Sequence, residues 1–136
     1  MVIVDTSGLL AFFNRNEPLH HEVVAAVDEA QDLVVSPYVV AEVDYLVATR
    51  HGVGAELEIL DELSGGAWML ADFEKGDIRE ARAVVARYRD QDIGLADASL
   101  VILAHRFRTR KVLTLDRRHF DVIRPIDGGR FTLLPA

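Results

Sequence analysis

A chain of 136 residues, half of them hydrophobic and about a quarter charged, has the size and composition of one folded domain, 1–136, and not of a disordered or fibrous protein. It contains no cysteine, which excludes disulfides, thiol catalysis and cysteine-ligated zinc. Its net charge of −7 argues against a uniformly basic nucleic-acid binder. The sequence shows no signal peptide and no apolar run long enough to span a bilayer, so we expect the protein in the cytoplasm, with no membrane partner.

The charge is unevenly distributed along the chain. Residues 1–74 carry 14 acidic and 2 basic side chains, whereas residues 75–136 carry 8 acidic and 13 basic ones. The second half therefore has a net charge of +5. A basic half beside an acidic pocket would suit a phosphate backbone held at the rim of that pocket, although a chance asymmetry of a solvated surface gives the same numbers.

The first residues predict a buried strand that ends in a carboxylate. Residues 2–4 are a β-branched run without alternation, which is typical of a strand covered on both faces of a parallel sheet. Asp5 ends this run, and Thr6 and Ser7 can cap the helix that follows. Ligands bind at this edge of open α/β sheets, whereas helix capping is the alternative role of a lone Asp5.

Helices and short apolar strands alternate along the rest of the chain. Further strands are predicted over 33–35, 68–70, 112–115 and 131–134, and helices over about 18–30, 37–51, 57–63, 73–88 and from 97 through 104. Residues 117–119 are interpreted as a loop that Phe120 anchors. This alternation predicts an α/β fold with a mainly parallel sheet.

Three further acidic residues lie near the beginnings of predicted elements. Glu42 is in the second turn of the helix over 37–51, Asp97 opens a helix that is apolar on most sides, and Asp116 follows the fourth strand as Asp5 follows the first. Each alone fits a solvated or helix-capping role. A pocket that gathers all four implies a cation, because each like-charged pair at ~4 Å costs on the order of 4 kcal/mol.

The available ligand types indicate which cation would fit. Carboxylates without cysteine or clustered histidine favour Mg²⁺, with Mn²⁺ as a substitute, over zinc. Thr6 and Ser7 stand at a helix N-terminus, where they either contact a substrate phosphate, support the site from an outer shell, or only cap the helix. Asp92 lies close to Asp97 in sequence and either caps that helix or leans toward the metal as an outer-shell group.

Four of these segments resemble the motifs of PIN-domain ribonucleases, and in particular the VapC-type toxins of bacterial and archaeal toxin–antitoxin pairs. The similar segments are residues 5–7, Glu42, residues 94–98 and residues 114–116, and the resemblance runs from about Val2 to Leu134. It implies a single-domain, three-layer α/β/α fold around a mainly parallel sheet of four to five short strands.

The resemblance also implies a reaction, metal-assisted hydrolysis of RNA phosphodiester bonds. In this mechanism Asp5 and Asp97 hold the main ion, and Glu42 binds it or orients the attacking water. Asp116 supports a second ion or the outer shell.

The partners that the resemblance implies are an RNA substrate and a protein inhibitor. VapC-type relatives cut structured RNA such as tRNA or rRNA, form homodimers, and are neutralised by a VapB-type antitoxin in a hetero-oligomer. The exposed surface around Tyr45 and Leu57 is a candidate for receiving an apolar antitoxin helix.

Two other classes compete with this hypothesis. An aspartate-dependent phosphoryl-transfer domain also places an aspartate after its first strand, but the phosphatase pattern needs a second acid at the position of Ser7. A receiver domain needs an acidic pair beside that strand and a lysine after its last strand, and the only lysines are Lys75 and Lys111. A non-catalytic PIN-like interaction module is the second alternative, against which the presence of all four acidic residues argues.

Overall fold

Five short strands form one sheet, in a computed structural model that describes residues 1–136. The strands are β1 (Val2–Val4), β2 (Leu33–Val35), β3 (Met69–Leu70), β4 (Lys111–Leu113) and β5 (Thr132–Leu134). The helices are α1 (Thr6–Phe13), α2 (His20–Glu29), α3 (Pro37–His51), α4 (Val53–Leu63), α5 (Lys75–Arg87), α6 (Leu95–Arg106) and α7 (Arg117–Val122), with a 3-10 turn at Arg89–Gln91. None of the helices is both long and apolar enough to cross a membrane.

All strand pairs are parallel, and the spatial order is β3-β2-β1-β4-β5. The chain therefore leaves β1 toward one edge of the sheet and later crosses back to place β4 on the other side of β1. Such a reversal opens a crevice at the carboxyl ends of the two central strands, where α/β proteins bind ligands. Val4 pairs with Leu113, so the residues that follow β1 and β4 emerge next to each other.

The two strands β1 and β2 are buried at every position, because helices cover both faces of the sheet. The predicted α/β class and the mainly parallel sheet of four to five strands are confirmed. Helix α6 is also buried along most of its length, from Ala98 to Ala104, as its apolar sequence predicts. It packs against β1, α3 and α5 and thereby holds Asp97 near the centre of the fold.

Three local predictions are wrong in their boundaries or type. Residues 117–119 belong to helix α7 and not to a loop, since Asp116 caps this helix by accepting from the His119 N–H at 3.4 Å. Strand β4 ends at Leu113, before the predicted residues 114 and 115, because the Leu115 N–H donates to the Ser7 hydroxyl and not to a neighbouring strand. Helix α2 begins at His20 and not at Pro18. Phe120 is buried, as expected of an anchor.

Gly8 allows helix α1 to lie directly against strand β4. A Cβ at this position would stand 2.8 Å from the Leu113 carbonyl carbon and 2.9 Å from Leu113 Cγ, closer than side chains approach one another. Gly8 is in the first turn of α1, and the Asp5 N–H donates to the Leu113 carbonyl at 2.9 Å. The close approach of α1 to β4 therefore depends on the missing side chain at Gly8.

We predict that Gly8→Ala lowers the free energy of unfolding by about 1–3 kcal/mol, because α1 must move away from β4 to make room for the methyl group. The measurement is urea unfolding of both proteins. Gly76→Ala is the matched control, since no atom lies within 4 Å of a Cβ placed in that helical position. Equal stability of Gly8→Ala and wild type would contradict the proposed packing role.

Candidate active site

Asp5 is the most buried of the four acidic residues that the sequence singles out, with 6% of its surface exposed. One carboxylate oxygen accepts a hydrogen bond from the Thr6 N–H at 2.8 Å. The other accepts from the Thr114 hydroxyl at 2.7 Å and from the Ser7 hydroxyl at 3.1 Å. Three donors from two separate segments therefore hold this carboxylate in one orientation at the end of β1.

Burial raises the pKa of Asp5 to about 6, and repulsion by the Asp97 carboxylate adds to the rise. The bonds from Thr114, Thr6 and Ser7 favour the charged form and act in the opposite direction. No basic side chain is among the groups that act on Asp5. The fold thus keeps a buried carboxylate beside a second carboxylate without a compensating cation of its own.

Asp97 lies in the first turn of α6 and connects the acidic residues electrostatically. Burial is the main cause that raises its pKa, and the carboxylates of Glu42 and Asp116 raise it further. The Gly94 N–H and the neighbouring His119 lower it. Glu42 and Asp116 each repel the Asp97 carboxylate, and Asp97 in turn repels Asp5, so all four predicted acids lie close to Asp97. We call these four residues the carboxylate cluster.

Glu42 and Asp116 form the open side of the carboxylate cluster. Glu42 is exposed on α3, in the second turn after the Ser36 cap. The buried hydroxyls of Ser36 and Ser99 are 2.7 Å apart, and this hydrogen bond joins the start of α3 to α6. Ser99 therefore links the helices that carry Glu42 and Asp97.

His119 was missed by the sequence analysis, which placed it in a loop. Its Nδ1 lies 3.1 Å from an Asp116 carboxylate oxygen and 3.7 Å from one of Asp97. The residue reaches both acids because α7 begins directly after Asp116 and places His119 one helical turn later. The signal that would have found it is the spacing from Asp116 to His119, which fits an N-cap and the first turn of a helix.

Thr114 is a second missed residue. Its hydroxyl donates to Asp5, accepts from the Asp116 N–H at 2.9 Å, and lies 3.1 Å from the Ser7 hydroxyl. Thr114 is almost fully buried, so it connects the ends of β1 and β4 inside the protein. A polar residue at the end of an otherwise apolar strand was the available signal in the sequence.

The three accessory candidates, Thr6, Ser7 and Asp92, differ in their placement. The Ser7 hydroxyl donates to Asp5 and accepts from the Leu115 N–H at 2.9 Å, so its bonds are made within the protein. The Thr6 hydroxyl is buried beside Asp5 without a hydrogen-bond partner. Asp92 is exposed, has a left-handed backbone (φ 55°), and is not among the groups that act on Asp5 or Asp97. The structure thus leaves Asp92 outside the carboxylate cluster.

The chemistry of the carboxylate cluster fits a hard divalent cation. All four donors are carboxylates, whose oxygens are the ligands that Mg²⁺ and Mn²⁺ prefer. The carboxylates of Asp5, Glu42 and Asp116 each repel that of Asp97, and a divalent cation bound among them would relieve this repulsion. As the side chains stand, no three His, Asp or Glu residues are arranged to ligate one ion together, so the fit concerns the donor set and not a preformed coordination geometry.

Comparison with known proteins gives one family and one close relative. The family model described as PIN domain matches residues 2–124. Ribonuclease VapC26 of Mycobacterium tuberculosis (strain ATCC 25618 / H37Rv) is 59% identical over 135 residues, which is 98% of this chain and 100% of that protein.

Three solved structures share the fold. VapC20 of Mycobacterium tuberculosis, described as a Sarcin-Ricin loop cleaving toxin, superposes with a TM-score of 0.75 at 16% identity over 82% of this chain and 87% of that one. VapBC2 of Rickettsia felis, bound to a DNA fragment from its promoter, gives 0.69 at 16% identity over 98% and 97%. FitAcB of Neisseria gonorrhoeae gives 0.63 at 20% identity over 97% of each chain.

We predict that Asp5 makes the fold less stable as the pH rises from about 4 to 6. The native state binds the Asp5 proton up to a pKa of about 6, whereas the unfolded chain releases it near 3.8, so the native state holds the extra proton between these values. The free energy of unfolding of wild type, minus that of Asp5→Asn, should therefore fall by up to about 3 kcal/mol as the pH rises. Urea unfolding in EDTA from pH 4 to 7 measures it, and a flat difference would contradict the assignment.

Proposed function

The chain belongs to the PIN-domain family, and from this membership we propose that it is a metal-dependent endoribonuclease that acts as the toxin of a type II toxin–antitoxin pair. The 59% identity to a protein named a ribonuclease, over nearly the full length of both chains, supports the ribonuclease activity. Family membership also removes the phosphoryl-transfer alternative, which belongs to other folds.

The observation that carries this proposal is the buried Asp5 carboxylate, which is fixed by three donors and opposed by Asp97. An arrangement of like charges opposes folding, and a protein retains it where the charges have a ligand to bind. Hydrolysis of RNA fits, because the same carboxylates can hold a divalent ion to which a phosphate also binds.

The residues of the carboxylate cluster have different tasks in this proposal. Asp5 and Asp97 are the direct ligands of Mg²⁺ or Mn²⁺, since they are the two least exposed carboxylates of the cluster. When bound, the ion lowers the pKa of water and neutralises the charge that builds up on the phosphate. Glu42, on the exposed side, binds the ion or orients the attacking water. Asp116 supports a second ion or the outer shell.

Thr114, Ser7 and His119 act on the acids and not on the substrate. Thr114 and Ser7 hold Asp5 from behind, while His119 lies between Asp97 and Asp116 on the solvent side. Such supporting contacts fix the direction of a ligand oxygen before the substrate arrives. Thr6, whose buried hydroxyl has no partner, is the accessory residue with hydrogen-bonding capacity left for an outer-shell contact.

The proposed substrate is structured RNA such as tRNA or rRNA, and the proposed location is the cytoplasm, where such RNA is found. Arg117 and Arg118 directly follow Asp116 and are exposed, and the Arg117 guanidinium donates to the Pro135 carbonyl at 2.9 Å. Such cations can hold phosphates on either side of the bond that is cut.

The proposed inhibitor is a VapB-type antitoxin that binds next to the carboxylate cluster. An apolar groove of about 620 Å³ lies between α1 and the α3–α4 pair, and its lining includes Phe12, Leu46 and Ile59. Ser7 and Leu115 are also part of its lining, so the groove continues to the cluster. An amphipathic helix fits such a groove. The exposed Tyr45 and Leu57 can extend this contact or serve the homodimer that we also propose.

We predict that the purified protein cuts RNA at discrete positions with Mg²⁺ or Mn²⁺ and not with EDTA. Asp5→Asn and Asp97→Asn should each lower the rate by at least about 100-fold, because each removes a direct ligand charge. The measurement is incubation with total RNA followed by mapping of the fragment ends, which should carry 3′-hydroxyl and 5′-phosphate groups.

Asp28→Asn is the matched control for this cleavage assay, since Asp28 is exposed on α2 and outside the carboxylate cluster. It should cut like wild type. Equal cutting by wild type and Asp97→Asn, or no cutting of any RNA with any ion, would instead support the non-catalytic interaction module.

We also predict that Mg²⁺ or Mn²⁺ raises the Tm of the wild-type protein in the absence of RNA. A bound cation relieves the repulsion between Asp5 and Asp97, and a ligand that binds only the native state stabilises it. Thermal unfolding with increasing metal concentration measures this shift. Asp97→Asn should lose most of it, and Asp92→Asn should keep it; a shift lost in Asp92→Asn as well would mean that the ion binds elsewhere.

A further inference from the structure

A second cleft lies where β4 and β5 begin. The carboxylate cluster lies at the opposite ends of the strands. We call this second cleft the basic cleft; it has a volume of about 820 Å³ and lies between the end of α6, the start of β4 and the turn before β5. Its charged or titratable lining residues are His105, Arg106, Arg108, Arg110, Lys111 and Asp127. Four permanent cations therefore face one acid on a protein whose net charge is −7.

Two of these cations are held in place by other parts of the protein. Arg110 pairs with Asp127 at 3.1 Å, and its guanidinium lies so close to Gly129 that a side chain there would collide with it. Arg106 pairs with Asp77 at 2.9 Å and donates to the Asp72 carbonyl at 2.8 Å. The walls of the basic cleft are therefore built from ordered arginines.

The other two cations, Arg108 and Lys111, are exposed and have no ion-pair partner among residues 1–136. Lys111 is the first residue of β4 and faces solvent. An unpaired cation beside paired ones leaves positive charge available for an external anion. The basic cleft thus keeps the positive charge of Arg108 and Lys111, whereas Arg106 and Arg110 are paired with Asp77 and Asp127.

The backbone of Arg108 is strained, which sets it apart from an ordinary surface arginine. Its φ of 53° is in the left-handed region, where glycine is the favoured residue. The Arg108 N–H donates to the His105 carbonyl at 3.3 Å and the Thr109 N–H donates to the Ala104 carbonyl at 3.0 Å, the bonding pattern of a helix end that usually has glycine at this position. A cation kept where glycine would be less strained indicates a role other than stability.

The composition of the basic cleft favours a nucleic acid over a protein as its occupant. Only two of its eleven lining residues are hydrophobic, and it has no aromatic residue, whereas protein interfaces have apolar or aromatic anchors at their centre. Arginine has a planar group that matches phosphate oxygens in pairs. The apolar groove on the other side of the molecule is the surface with the character of a protein-binding site.

We propose that the basic cleft is an RNA-anchoring site, which binds the phosphate backbone of the substrate at a distance from the bond that is cut. This inference rests on the proposed function, because that function makes RNA the polyanion that the protein must hold. Strand β4 joins the two sites: Lys111 begins it, and Asp116 follows its other end. Lys111 and Asp116 are five residues apart, about 17 Å in an extended chain, and a structured RNA that passes around the outside of the protein is long enough to reach both sites.

The test compares Arg108→Gly, Lys111→Gln and the double variant with wild type, using a labelled RNA hairpin and bulk tRNA in EDTA. Each substitution should raise the Kd by about 3- to 10-fold and lower the slope of log Kd against log salt by about 1. Arg108→Gly should also have a Tm at or above that of wild type, because glycine relieves the strained backbone. Weaker RNA binding by a protein that is at least as stable cannot be attributed to misfolding.

Arg79→Gln with Arg82→Gln is the charge-matched control, since both residues are exposed on α5 and do not line the basic cleft. This variant should bind RNA with a Kd within about twofold of that of wild type, because salt screens the attraction between RNA and charges that lie far from the basic cleft. With Mg²⁺, the cleft variants should show a raised KM for hairpin cleavage and a nearly unchanged kcat.

The outcomes separate this inference from the proposed function. Unchanged RNA affinity in the double variant, with cleavage still observed in wild type, would overturn the anchoring site and leave the nuclease intact. Weaker RNA binding in a protein that cuts no RNA would support the anchoring site and remove the nuclease. Loss of affinity for the purified antitoxin, without any change in RNA affinity, would overturn the anchoring site in favour of a protein contact.

Discussion

The bond from the Thr114 hydroxyl to the Asp5 carboxylate is the interaction on which the proposed site depends. It joins residues 109 positions apart in the chain and connects β1 with β4, the two neighbouring strands between which the order of strand addition reverses. Because Asp5 is buried beside Asp97, its charged form is unfavourable, and the hydroxyl and amide donors around it are what keep this form accessible. The charged Asp5 carboxylate lowers the stability of the native state, and a cation that binds it there would relieve this destabilisation.

Because all strands are parallel, the two ends of the sheet differ in the charge of the residues that lie there. Acidic residues follow the carboxyl ends of β1 and β4, whereas the loops that lead into β4 and β5 carry arginine and lysine. The sequence analysis left open whether the basic half of the chain lies at the rim of the acidic pocket or is a chance asymmetry of a solvated surface. In the structure, Arg117 and Arg118 are exposed directly after Asp116, and a denser group of cations lines the basic cleft at the opposite end of the strands.

The proposed partners have separate surfaces. The apolar groove beside α1, α3 and α4 has the composition of a protein-binding site and borders the carboxylate cluster, so a helix bound there would lie next to the reactive groups. The basic cleft is polar and lies at the far edge. A toxin that must bind an inhibitor and an RNA can, with this layout, contact RNA at a place that the inhibitor does not occupy.

The sequence by itself determined the elements whose signal is local. The β-branched run before Asp5, the Ser36 cap with Pro37 and the apolar residues of α6 predicted a buried strand and two helices, because hydrophobic period and capping depend on residues a few positions apart. The four carboxylates were identified by their positions at the ends or starts of elements together with the family resemblance. Their neighbourhood in space agrees with that prediction, while their roles in catalysis remain proposals.

Only the tertiary structure decided which other groups surround those carboxylates. Thr114 reaches Asp5, and His119 reaches Asp97, because strand order and register place β1 beside β4 and α7 close to α6, and no local pattern encodes that pairing. Asp92, five residues before Asp97, stays outside since its left-handed backbone ends the preceding turn and leaves it exposed. Contacts between distant segments arise from packing of the whole chain, which is why sequence spacing identified the acids but not their supports.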